Sequence, residues 1–192
     1  MDAYRINTKF YLAEGSEVAG EQWYRALYGW LSSTPDEVLI DVADYSHVGQ
    51  GPLTVLVGHN ANYAIDNTDG SLGLVYSRKR PMEGDFSQRL RSVFRSAALA
   101  CRRLEEDDGL GGVRFRGDEV QVTVNDRLSV PEDLPATSTV DPVLDRQLEM
   151  LFRDTDLEVT RGDDARSPKV ITARSGKDLG MSGLLENLDR TP

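Results

Sequence analysis

Residues 4–12 alternate, with Ile6, Thr8, Phe10 and Leu12 on one side of a period-2 ribbon, which predicts a half-buried strand. From Gly20 the period changes. Trp23, Leu27, Trp30 and Leu31 fall at i, i+4, i+7 and i+8, the spacing of a helix face, and Ser33-Thr34-Pro35 closes it. Residues 37–43 and 53–57 are apolar runs of the kind that form strands covered on both faces. Residues 62–66 and 72–76 flank Asn67-Thr68-Asp69-Gly70-Ser71. Asp-Gly supplies the positive φ a hairpin needs, so three neighbouring antiparallel strands are expected here.

The clearest helix spans about 85–105. Phe86, Leu90, Val93, Phe94, Ala97, Ala98, Cys101 and Leu104 keep one face apolar for five turns; Asp85 caps it and Asp107-Asp108-Gly109 stops it. Past Gly109-Leu110-Gly111-Gly112, residues 113–116 and 120–124 flank Gly117-Asp118-Glu119 and read as another hairpin. Residues 126–139, with Pro131 and Pro135, read as a long loop. Asp141-Pro142 reads as a helix start with Pro in the first turn, the helix burying Val143, Leu144, Leu148, Leu151 and Phe152. Residues 157–160 and 170–173 form a third hairpin, and 178–188 a short closing helix.

Strands that come in hairpins, without regular alternation with helices, predict an α+β fold: antiparallel sheet packed against two long and two shorter helices. The Gly-rich stretch suggests a division into 1–108 and 109–192, with one continuous domain as the alternative. A length of 192 residues accommodates either.

Composition narrows the class. No apolar stretch is long enough to span a bilayer, and the start, Met1-Asp2-Ala3-Tyr4-Arg5, has no signal-peptide character. The single cysteine, Cys101, excludes an intrachain disulfide and a thiolate zinc cluster, so a cytoplasmic location is expected. Cys101 lies on the apolar helix face, where a small buried hydrophobe is expected rather than a reactive thiolate.

The net charge of −10 is unevenly distributed. Between Arg78 and Arg103 stand eight Lys and Arg against Glu83 and Asp85, a charge of +6, which leaves −16 on the rest of the chain. One reading pairs this helix with acidic neighbours in the same chain, such as 105–108 or 154–164. A second has Arg89, Arg91, Arg95 and Arg102 dock an acidic partner or a second copy, because the guanidinium fork pairs with carboxylates at interfaces. Nucleic acid is disfavoured, since −16 elsewhere repels a polyanion. A small phosphorylated ligand at Ser77-Arg78-Lys79-Arg80 fits the charge, although no phosphate-loop or dinucleotide motif is present and no cofactor is expected.

Candidate chemistry is sparse. His47 follows one strand and His59 the next; with Asp41 and Asp44 they make a set whose donors suit zinc, iron or manganese. The connection 44–52 is short for a parallel crossover, and antiparallel pairing puts the two histidines at opposite ends, against a shared metal site. The turn Gly58-His59-Asn60 is the segment where polar groups meet the end of a core strand. No nucleophile elbow occurs. Arg161-Gly162-Asp163 reads as a turn, and Asn125-Asp126-Arg127 as a loop-fixing cluster. The first expectation is therefore a non-catalytic binding or assembly protein acting through its basic helix. The alternative is a ligand-binding or enzyme-like protein, with a pocket formed by His59, Asn60, Arg78 and Arg80 near Asp41, Asp44 and His47.

Overall fold

A computed structural model describes residues 5–34, 37–48, 51–125, 137–162 and 169–190. Eight strands form one antiparallel sheet: β1 (Ile6–Leu12), β2 (Leu39–Asp44), β3 (Pro52–Gly58), β4 (Ala61–Asp66), β5 (Gly73–Arg78), β6 (Phe115–Val124), β7 (Leu157–Arg161) and β8 (Lys169–Ser175). Their order is β2-β3-β4-β5-β1-β6-β8-β7. The helices are α1 (Gly20–Ser33), α2 (Phe86–Glu105), α3 (Thr137–Leu151) and α4 (Gly180–Asp189). This is the expected α+β architecture with antiparallel sheet. Strands from both sides of Gly109–Gly112 meet where β1 pairs with β6.

Register explains the layering. Phe10 stands opposite Leu74 on β5 and Val120 on β6; Leu74 stands opposite Ile65, and Tyr76 opposite Tyr63, itself opposite Leu56. All of these residues are buried and belong to one core with the helices. Alternation sends the intervening residues, among them Asn7, Lys9, Gln121 and Arg174, to the other face. The covered face is where α2 seats Leu90, Val93, Phe94, Ala97 and Cys101, each fully buried. Asp85 caps α2 as expected, its carboxylate accepting the Gln88 N–H at 2.8 Å. Burial of Cys101 matches its position on that face.

Several local expectations are corrected. Residues 115–124 form one strand, not a hairpin about Gly117. Gly117 is there because α4 begins against it: a Cβ would stand 2.6 Å from Gly180 Cα. The Gly117 N–H donates to Asp178 Oδ1 at 2.8 Å, which ties the strand to the helix start. The run 37–43 is not covered on both faces. The helices lie on one side of the sheet only, and β2 is its edge, so Ile40, Asp41 and Asp44 are exposed. Likewise β3 buries alternate residues only. The third helix starts at Thr137, a turn before Asp141-Pro142, and carries Pro142 inside it. Of the expected loop 126–139, residues 126–136 lie outside the described residues, as does Asp163.

Candidate functional site

A cleft of about 350 Å³ opens where the C-terminal end of α1, the middle of α2 and the β2–β5 end of the sheet converge. Helix α1 contributes Trp30 and, just past its end, Thr34; α2 contributes Ser96, Leu99, Ala100 and Arg103. The sheet side supplies Glu37 and Leu39, Asn60 from the β3–β4 turn, Tyr63 from β4, and Tyr76 and Arg78 from β5.

Aromatic packing builds the floor. Tyr63 and Tyr76 face each other across the β4–β5 ladder, ring centroids 5.1 Å apart and edge-on. Trp30 meets Tyr63 edge-on at 5.6 Å. Such pairs add about 0.5–1.5 kcal/mol each beyond area burial. The Tyr63 hydroxyl donates to Glu37 Oε2 at 2.6 Å. Burial, then that carboxylate, push the Tyr63 phenol well above the usual tyrosine range. Burial also raises Tyr76, against the opposing influence of its hydrogen bonds with Arg78 and Ser96. Both phenols stay protonated at neutral pH, and Tyr63 serves as a neutral donor.

Two cations line the cleft. The Arg103 guanidinium lies over the Trp30 ring, 4.4 Å from its centroid, and donates to Thr34 Oγ1 and Ser33 Oγ, each at 2.6 Å. Desolvation draws its pKa down from the usual arginine value. Its hydrogen-bond partners are neutral hydroxyls, and no carboxylate among the described residues bonds to it, Asp107 acting on it only from a distance. Arg78 donates through Nε to the Arg80 carbonyl at 2.9 Å and through a terminal nitrogen to the Pro81 carbonyl at 3.2 Å. The Asn60 carbonyl accepts the Lys79 and Arg80 N–H groups at 2.9 and 3.3 Å, which locks the β3–β4 turn to the exit of β5.

Of the residues expected to bind a ligand, Asn60 and Arg78 line this cleft, whereas His59 and Arg80 are exposed and outside its lining. Trp30, Glu37, Tyr63, Tyr76 and Arg103 were not anticipated. The available signal was the pair of tyrosines at matching positions of one hairpin. Asp41, Asp44 and His47 are exposed at the β2 edge, with His47 stacked on Tyr45 at 6.5 Å. His59 lies at the other end of the β2–β3 pair, its N–H on the Val38 carbonyl. Among the described residues no group of three or more His, Cys, Asp or Glu converges as a metal would need.

The basic face of α2 is largely engaged within the chain. Arg91 donates through Nε (2.7 Å) and a terminal nitrogen to the Leu188 carbonyl, and again to the Arg190 carbonyl at 3.2 Å, so it caps the C-terminus of α4. Arg95 pairs with Asp189, and Arg102 approaches Glu106 at 3.7 Å. Arg89 is half-buried. No helix among the described residues is long and apolar enough to cross a membrane. No protein-family model matches the chain, and the search of curated proteins found no match.

Proposed function

We propose that this chain is a binding protein whose ligand is a small molecule with a flat apolar body and an anionic group, held in the cleft between α1, α2 and β2–β5. The observation that carries this reading is the Arg103 guanidinium, stacked on Trp30 and held by two neutral hydroxyls, beside a floor of tyrosines. A desolvated arginine with no carboxylate bonded to it attracts an anion more strongly than an exposed one. Arg78 adds a second cation, and Asn60 and Ser96 add polar groups that can fix orientation. Tyr63, Tyr76, Leu39 and Leu99 present the apolar surface for the ligand body. On this reading binding falls at the Asn60–Arg78 end of the protein, and the engagement of Arg91 and Arg95 by α4 and its C-cap supports it over the outward arginines of α2.

A thermal-shift screen of aromatic carboxylates and small phosphate esters tests the reading. A ligand at a hundred times its Kd stabilises by about 2.7 kcal/mol. At about 2–4 °C per kcal/mol for a chain of this size, a hit raises Tm by about 5–11 °C. Arg103→Gln and Arg78→Gln should each reduce the shift. No hit across the panel, or hits that survive both substitutions, refutes it.

A further inference from the structure

A second surface stands apart from the cleft and does not depend on it. Among the described residues strand β2 ends the sheet, with β3 its one ladder partner, and the pairing extends outward through the His59 N–H on the Val38 carbonyl and the Tyr45 N–H on the Leu53 carbonyl. Five large hydrophobic residues are exposed among the described residues, and four lie along this edge: Val38 (66%), Ile40 (59%), Tyr45 (42%) and Val48 (40%). The opposite edge, β7, reads Leu-Glu-Val-Thr-Arg and has none of them. Exposed apolar residues on an unpaired edge form a template for an added strand.

The charge of the edge selects the occupant. Residues 37–48 hold Glu37, Asp41 and Asp44 and no Lys or Arg. The Asp41 carboxylate accepts the N–H of Val42 at 2.8 Å, so that donor is not left free for a passing strand. The register also slips between Leu39 and Asp41, the irregularity that leaves Ile40 facing solvent. Both features guard the edge against indiscriminate pairing. A second copy is disfavoured further, because two β2 edges bring Asp41 and Asp44 of both copies into one short stretch, in a chain of charge −10.

We infer that the β2 edge docks an extended segment of another polypeptide in which apolar residues alternate with Lys or Arg. Main-chain bonds to the edge hold it, the apolar residues lie beside Val38 and Tyr45 on the open face, and the cations, on the opposite face of the added strand, lie on the side of Asp44, whose ladder partner is the buried Thr54.

The test is an amide chemical-shift titration of the labelled full chain with an acetylated, amidated octapeptide alternating Val and Lys. A twin peptide carries Glu in place of Lys. The expected result is saturable shifts concentrated on Val38–Val48, weakening as salt rises. The variant Asp44→Asn should bind at least about fivefold more weakly with an unchanged Tm, since Asn keeps the oxygen that accepts the Ser46 N–H. Shifts centred elsewhere, no saturable shift, or equal binding of the Glu peptide overturns the inference. So does a concentration-dependent mass of the chain alone that Ile40→Lys abolishes, because the edge then belongs to a second copy.

Discussion

Replacing Lys9 by Met gives the sharpest test of how the open face of the sheet is held. Lys9 sits in the middle of β1 with its side chain 3% exposed, and Nζ lies 3.0 Å from Asp66 Oδ2 and 2.6 Å from Asp69 Oδ1. Met keeps the apolar stem and removes the charge, which leaves two carboxylates facing each other. Breaking a buried ion pair costs about 3–5 kcal/mol. Asp69 keeps a third of its exposure, so water screens it and the low end, about 3 kcal/mol, is expected. That corresponds to a fall in Tm of about 6–12 °C. The pH dependence separates this mechanism from simple loss of packing. In the native protein burial alone would raise the Asp69 carboxyl, but Lys9, the Ser71 N–H and Tyr11 hold it below the usual carboxylate value. Its stabilisation is therefore present above a pH of about 4 and lost as pH falls through the lower folded value. In the variant the two acids repel, at least one carboxyl rises, and the folded state binds protons more readily than the unfolded one. The stability gap to wild type, read from urea unfolding between about pH 7 and pH 4.5, should then shrink on acidification. Adding Asp66→Asn and Asp69→Asn should recover more than half of the loss. A loss under about 1 kcal/mol, or a gap indifferent to pH, refutes the argument.

Other consequences follow from the same contacts. Gly117→Ala places a methyl 2.6 Å from Gly180 Cα and 2.8 Å from Asp178 Oδ1, so it should destabilise by about 1–3 kcal/mol, seen as a lower urea midpoint with unchanged slope. Cys101 is fully buried and burial pushes its thiol well up, so a disulfide reagent should label it only at the rate of unfolding; rapid labelling of the folded chain contradicts this placement. Arg91→Met removes the cap on α4 and should cost about 1 kcal/mol, with faster amide exchange in Gly180–Asp189 and little change in α2. Tyr11, Tyr63 and Tyr76 hold their protons above the usual tyrosine value, so the unfolded chain ionises first; stability should fall as pH rises past about 10, and ultraviolet titration should show three late tyrosines.

What the sequence disclosed is mainly what depends on neighbours within a few turns. The apolar face of α2, its Asp85 cap and the Asp-Gly hairpin between β4 and β5 are all local patterns, and all are present. Gly117 was misread because Gly-Asp-Glu has the chemistry of a turn, while the decisive contact is with Gly180, brought near only by the closing helix. The apolar run of β2 has the composition of an interior strand, because composition reports hydrophobicity, not which strand ends a sheet. At the cleft, Asn60 and Arg78 were visible as polar groups flanking strand ends. Trp30 and Arg103 were not, because their stacking joins residues from two helices that are far apart in the chain.

The basic helix shows the same limit in electrostatic terms. A charge count over residues sees +6 between Arg78 and Arg103 and looks for carboxylates to match it. Part of the compensation comes from groups with no formal charge. The last carbonyls of a helix carry roughly half a negative charge between them, and Arg91 is bonded to two carbonyls at the end of α4. Arg103 rests on the electron-rich face of Trp30 and on two hydroxyls. Arg78 is bonded to the carbonyls of Arg80 and Pro81. The excess of arginine over acid along α2 is thus consistent with a helix that holds α4 and one wall of the cleft in place. Arg103, part desolvated, has only neutral hydrogen-bond partners among the described residues.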